Sequence, residues 1–438
     1  MIAAACAALL PALARAADTP AATPDCHVGA YRLASGRIVD IAPTDGEPLR
    51  WRAWDGTTGL LKKTAAGDWT STYGWTGRPD GISVGFSDCA KGKIRFGQEP
   101  GRRIPLDVTE TRFQGQGDVP LAGRLVLPKG AGRVPIVVLI HGAEHDSARD
   151  FYAFQRLFPA QGIGVFVYDK RGTGGSGGAY SQDFALLAAD AVAALHEARR
   201  LAGPRAGRIG YQGGSQGGWV APLAALHEPV DFVIVSFGLA VSVIDEDQQE
   251  VALEMALKGH SADDTRKALE VADAAETVIA SRFTEGFQRF DELRARYKNE
   301  PWYKDLHGNY TWALLPYSEA ELREKAKAFD WGTPFHYDPM PTLKKVSTPQ
   351  LWVLGRDDLE APSAETSRRL KGLIAQGRPI TLALYPGAEH GMTEFEVAPD
   401  GERLSTRFAP GYFQMMADYI RTGRIAGPYG KSEVTRPK

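Results

Sequence analysis

Arg208-Ile209-Gly210-Tyr211-Gln212-Gly213-Gly214-Ser215-Gln216-Gly217-Gly218-Trp219 is the stretch on which the fold turns. A short apolar strand signal, Arg208 to Tyr211, runs into the pattern G-x-S-x-G at Gly213 to Gly217. A small-residue run, Gly218 to Ala225, then opens a helix. In a strand, sharp turn and helix of this kind the serine backbone is strained, and only glycines at its flanks leave room for it. The strain lifts the hydroxyl to the top of a sheet, where a base can reach it. Five residues are a weak match in a chain with 48 glycines, so the motif counts only if the rest of the chain supplies its partners.

Outward from this turn, continuous apolar runs recur at Pro135 to Ile140, Val165 to Tyr168, Phe232 to Phe237, Leu351 to Leu354 and Ile380 to Tyr385. Such runs read as strands buried on both faces. Helical patterns lie between them, as at Phe184 to Arg200, closed by Gly203-Pro204. Val119 to Pro128 reads as an edge strand leading in, and Tyr412 to Thr422 as the last helix. The alternation predicts an α/β domain over residues 104–425 with a mainly parallel sheet. It breaks between Phe237 and Leu351, where helix signals (Asp245 to Lys258, Ala262 to Ile279, Glu319 to Phe329) mix with Trp302, Tyr303, Tyr310, Trp312, Trp331, Phe335 and Tyr337. A structureless loop of that length has no place in a compact domain. Residues 239–340 are therefore expected to form a helical cap over the sheet's active edge.

Residues 26–103 look different. Short alternating or aromatic runs, such as Leu49 to Ala53 and Ile82 to Phe86, are separated by Ser35-Gly36, Asp45-Gly46, Asp55-Gly56 and Lys91-Gly92. They predict a small antiparallel sheet or barrel with a structural or docking role. Residues 1–17 are apolar and alanine-rich, with Ala14-Arg15-Ala16 in the place of a cleavage site, and read as an export signal without its basic start. A periplasmic or secreted location follows, in which Cys26 and Cys89 can form a disulfide that staples the β module. The net charge of −2 without charge blocks gives no reason to expect nucleic acid or an anionic membrane as partner. Nothing in the sequence specifies an oligomeric state.

A serine hydroxyl is a poor nucleophile until a base takes its proton, and the base needs an acid to fix its tautomer. His390 lies in Pro386-Gly387-Ala388-Glu389-His390-Gly391, just past one buried strand. Asp358 lies in Gly355-Arg356-Asp357-Asp358-Leu359-Glu360-Ala361-Pro362, just past another. Asp357 competes with Asp358 for the acid's role. The order Ser215, Asp358, His390, each after a strand, is one known chain order of a catalytic triad. Backbone N–H groups of Ala143, after the strand ending at Ile140, and of Gln216 are the expected oxyanion donors. His141 is expected to orient the oxyanion loop by hydrogen bonding, and Asp169 to pair with Arg171. The spacing of His141, Glu144, His145 and Asp146 fits no common zinc motif, so no metal or other cofactor is expected.

Taken with Val137 to Gly142, Tyr168 to Ser176, Asp338-Pro339 before Leu343, Gly355 to Pro362 and Gly387 to Gly391, the chain resembles α/β-hydrolase superfamily esterases and peptidases. The branch is that of serine aminopeptidases and dienelactone-hydrolase-like enzymes, and the match covers roughly residues 119 to 425. The resemblance implies a serine hydrolase with a cap inserted after the strand near Phe232, and does not fix the substrate. The primary expectation is a carboxylesterase acting on a small or medium ester. A peptidase would need a carboxylate for a free amino terminus, for which Glu360, Glu389 or cap acids are candidates. A thioesterase fits poorly with export, and a binding protein with a relic triad is the reading from another class. Gly214, directly before Ser215, departs from many relatives and is expected to open space beside the serine.

Overall fold

The computed structural model describes residues 26 to 437 apart from 47 and 66; the expected signal at 1–17 lies outside the described residues. Its first unit is a closed barrel of eight strands, β1 to β8 (Gly29–Leu33, Ile38–Pro43, Leu49–Ala53, Thr58–Lys63, Trp69–Tyr73, Pro79–Asp88, Lys93–Phe96 and Glu99–Arg103). Each strand pairs with the next, and β8 returns to β1, so no edge is left for another chain to pair with. Alternate residues such as Tyr31, Val39, Trp51, Leu61, Val84 and Phe96 fill its interior. A Cys26–Cys89 disulfide ties the entering chain to the turn after β6.

The second unit is a nine-stranded sheet in the order β19-β16-β15-β14-β13-β11-β12-β10-β9. Its parallel centre comprises β11 (Val134–Ile140), β12 (Gly164–Tyr168), β13 (Ala206–Gly214), β14 (Phe232–Ser236), β15 (Gln350–Gly355) and β16 (Ile380–Tyr385). The apolar runs of the sequence are these strands. β9 (Leu106–Gln114), β10 (Pro120–Pro128) and β19 (Glu433–Thr435) add antiparallel flanks. The strand expected at the edge is thus interior: β10 pairs with β9 along its whole length. β9 escapes a pattern search because most of its side chains, Glu110 and Arg112 among them, stay at the surface.

Helices α1 (Ala148–Phe151) and α2 (Phe154–Leu157) follow β11, α3 (Phe184–Ala202) follows β12, and α4 (Gly217–His227) follows β13. Between β14 and β15 comes the cap: α5 (Val243–Leu257), α6 (Ala262–Ala280), α7 (Phe287–Tyr297), α8 (Asn309–Leu314) and α9 (Glu319–Phe329). Three cap helices start at capping boxes, Ser242 with Asp245, Ser261 with Asp264 and Ser318 with Glu321, which satisfy backbone N–H groups at each start. The cap has its own core, including Val271, Phe290, Trp302 and Leu314. After α10 (Met340–Lys345), α11 (Ser363–Ala375) joins α3 and α4 on one face of the sheet; α12 (Tyr412–Thr422) and α2 cover the other.

Two sets of polar contacts help dock the barrel on this domain. Asp40 is fully buried and accepts Arg156 Nε at 2.6 Å, with Arg52 at 3.9 Å. The barrel turns also meet a hairpin, β17 (Thr393–Val397) and β18 (Arg403–Phe408): Trp75 N–H donates to the Ser405 carbonyl at 2.9 Å and Phe408 N–H to that of Gly56 at 2.9 Å. That hairpin begins three residues after His390, so the barrel buttresses the loop that carries it. Asp40→Ala would leave two guanidinium groups facing each other in the interface. It is expected to cost about 3–5 kcal/mol of stability, read from denaturant unfolding.

Candidate active site

Ser215 sits between β13 and α4 with a φ of 50°. The left-handed region costs a residue with a side chain roughly 1–2 kcal/mol, and two hydrogen bonds hold it there: Ser215 N–H to the Ser236 carbonyl at 3.1 Å and Gly218 N–H to the Ser215 carbonyl at 2.7 Å. The flanking glycines are required by close approach. A Cβ at Gly213 would lie 2.2 Å from the Gly217 carbonyl oxygen, and one at Gly214 would lie 2.7 Å from the Phe237 ring. The space expected beside the serine is therefore filled by Phe237, itself at φ 43° just past β14.

His390 stands in a single turn, His390–Met392, after β16. Its Nδ1 lies 3.0 Å from Asp358 Oδ2, while Asp358 Oδ1 accepts Ala361 N–H at 2.8 Å. Asp358 is almost wholly buried. Asp357 turns the other way and accepts Gly387 N–H at 2.7 Å. The Phe237 ring meets the imidazole edge-on with centroids 4.8 Å apart, so one side chain touches both His390 and the glycine before Ser215. Nothing in the sequence singles out Phe237 beyond its place at a strand end.

Carboxylates crowd this histidine. Glu360 Oε1 is 3.6 Å from Nε2, and Glu246 on α5 interacts with the ring electrostatically. Burial disfavours the imidazolium, but Glu360 and Asp358 outweigh it and hold the His390 pKa above the ordinary histidine range. Burial, then Glu250 and Glu360, raise the Glu246 carboxyl well above the usual carboxylate range. Burial raises Glu250 to about 7, although Asn309 N–H donates to it at 2.9 Å and His307 Nδ1 lies at 3.2 Å. Glu389 pairs with Arg403, and burial raises its carboxyl in spite of that partner. An imidazole that serves as base must be neutral, so an activity that runs through His390 is expected to rise with pH through its pKa. Glu360→Gln removes a charge that favours the imidazolium, and the acidic limb of kcat/KM is expected to move to lower pH.

The N–H groups of Ala143 and Gln216 have no hydrogen-bond partner among the described residues. The loop carrying Ala143 is held from several sides. Gly142 N–H donates to the Tyr152 hydroxyl at 3.1 Å, which in turn donates to Glu144. Lys170 Nζ donates to the Gly142 carbonyl at 2.6 Å, and the Tyr180 hydroxyl to that of Ala143 at 2.5 Å. His141 Nδ1 lies 3.4 Å from Glu144 Oε1 of the same loop, an ion-pair distance without hydrogen-bond geometry, and burial lowers its pKa. The expected Asp169–Arg171 pair is absent. Arg171 forks onto Asp190 with two bonds of 2.7 Å. Asp169 takes Ser147, Arg149 and Gly175 N–H.

For a metal, Glu250, Glu254 and His307 bring ligand atoms within 4.8 Å of one another. Glu250 is already engaged by His307 and Asn309, and Glu254 pairs with Lys258. Among the described residues no helix is long and apolar enough to cross a membrane.

Residues 133–397 match the family described as serine aminopeptidase, S33. The chain belongs to that family. Among curated proteins this S33 member is similar to esterase FrsA of Escherichia coli O81 (strain ED1a), 27% identical over 158 residues that span 35% of this chain. The match spans 38% of that relative's own length. Solved structures similar to it include the Pyrococcus furiosus esterase Pf2001 (TM-score 0.39, 15% identity, 65% of this chain and 83% of that one). A second is Pyrococcus horikoshii acylaminoacyl peptidase (TM-score 0.43, 14% identity, 89% of this chain and 57% of that one). The S33 family is one of hydrolases, and the fold is that of an α/β hydrolase carrying an N-terminal all-β barrel.

Proposed function

We propose that the protein is a serine hydrolase that cleaves small or medium carboxylic esters through Ser215, His390 and Asp358. The observation that carries this reading is the Asp358–His390 hydrogen bond of 3.0 Å at the sheet edge where Ser215 stands at φ 50°. In the proposed cycle Ser215 Oγ attacks the carbonyl carbon and His390 Nε2 takes its proton. Asp358 holds Nδ1–H and stabilises the imidazolium. The Ala143 and Gln216 amides receive the oxyanion, each worth about 3 kcal/mol of barrier. His390 then protonates the leaving alcohol, and water repeats the sequence on the acyl-enzyme. The Cys26–Cys89 disulfide supports a location outside the cytoplasm.

A second reading rests on the carboxylates around His390. Glu360, 3.6 Å from His390 Nε2, favours a substrate with a protonated amine, as an aminoacyl peptide has. Reaction of the folded protein with a fluorophosphonate, followed by mapping of the label, tests the hydrolase; absence of label on Ser215 would rule it out. Parallel assays on p-nitrophenyl esters and aminoacyl arylamides decide between the two readings.

A further inference from the structure

We infer that the buried Lys170 ammonium aims and polarises the oxyanion-binding amide of Ala143 by gripping the carbonyl of Gly142. The inference rests on the proposed role of Ala143. Gly142 C=O and Ala143 N–H belong to one planar peptide group, and in the trans form they point in opposite directions. Lys170, two residues past β12, is 2% exposed and donates from Nζ to that carbonyl at 2.6 Å. Fixing the carbonyl on the buried side turns the N–H toward the cleft, where no group of the described residues takes it. The charge adds a second effect. A cation bound to the carbonyl oxygen draws electron density through the amide, so the N–H becomes a stronger donor where negative charge develops.

The surroundings show what an ammonium costs here and what compensates it. Burial lowers the Lys170 pKa to about 8, with Glu144 acting against the fall, so the group is still largely protonated at neutral pH. Tyr180 presents its ring face 4.4 Å from Nζ and donates its hydroxyl to the Ala143 carbonyl. Lys170 and Tyr180 thus hold the two successive carbonyls that bracket the Ala143 N–H. His145 stacks on Tyr180 at 3.6 Å, and Trp331 of the cap meets the same ring edge-on. The other charged or titratable neighbours are occupied: Glu144 by Tyr152 and Asp169 by Arg149, while burial lowers the pKa of His141. A neutral donor would satisfy the Gly142 carbonyl without burying a charge. The charge itself therefore needs a reason, and transition-state stabilisation supplies one.

The test compares the full-length protein with Lys170→Met and Lys170→Gln on p-nitrophenyl butyrate, with a trifluoromethyl ketone as oxyanion-forming inhibitor. Deleting an oxyanion donor costs about 10²–10³ in kcat; misaiming and weakening one should cost roughly 30- to 100-fold. Lys170→Met is expected to lose that factor in kcat with KM within about twofold, and to bind the ketone more weakly by a similar factor. Lys170→Gln, which keeps a hydrogen bond but no charge, should fall between it and wild type; it also carries the test if the methionine variant does not fold. A folded Lys170→Met with wild-type kcat, or Lys170→Gln equal to wild type, would overturn the inference while the hydrolase reading stands. An inactive, unlabelled wild type would remove both.

Discussion

Ser215→Ala is expected to abolish turnover by on the order of 10⁵- to 10⁶-fold and to eliminate fluorophosphonate labelling. In the proposed cycle the loss is large because Ser215, His390 and Asp358 act as a unit. Without Oγ the Asp358–His390 pair has no proton to take, and only the Ala143 and Gln216 amides remain to assist attack by water. The same substitution should change stability by no more than about 0.5 kcal/mol. Both backbone bonds that hold the elbow, Ser215 N–H to Ser236 and Gly218 N–H to the Ser215 carbonyl, survive it. Alanine pays the same backbone strain at φ 50° as serine does. Turnover of the purified variant above about one per cent of wild type would mean that another residue is the nucleophile.

The parts of this site visible in the sequence are those that depend on local chemistry. The elbow is legible because only glycine tolerates a Gly217 carbonyl 2.2 Å from its Cβ position. The parallel strands are legible because burial on both faces demands unbroken apolar runs. What stays hidden depends on neighbours brought from elsewhere. β9 and the β17–β18 hairpin alternate polar and apolar residues only loosely, and owe their order to β10 and to the barrel turns at Gly56 and Trp75. Phe237, Lys170 and Glu246 look like ordinary residues until the fold sets them against Gly214, Gly142 and His390. The expected Asp169–Arg171 pair fails for the same reason: Asp190 on α3 offers Arg171 a buried two-bond partner that no local spacing announces.

Asp358→Asn is expected to lower kcat by about 10⁴-fold, by the tautomer effect that the corresponding change has in serine proteases. The geometry here dictates which way the asparagine sits. Ala361 N–H donates to Oδ1 at 2.8 Å, so the amide oxygen must take that place and the NH₂ must face His390 Nδ1. Nδ1 then becomes an acceptor, the ring proton moves to Nε2, and Nε2 can no longer receive the serine's proton. Glu360 cannot replace the lost carboxylate, because it lies on the Nε2 side at 3.6 Å and would bind that misplaced proton, reinforcing the wrong tautomer. Asp357→Asn is the control. Its carboxylate serves Gly387 N–H and not the imidazole, so kcat should stay within about tenfold of wild type. A reversed ranking of the two variants would assign the acid to Asp357 and would require His390 to leave the position it holds beside Asp358.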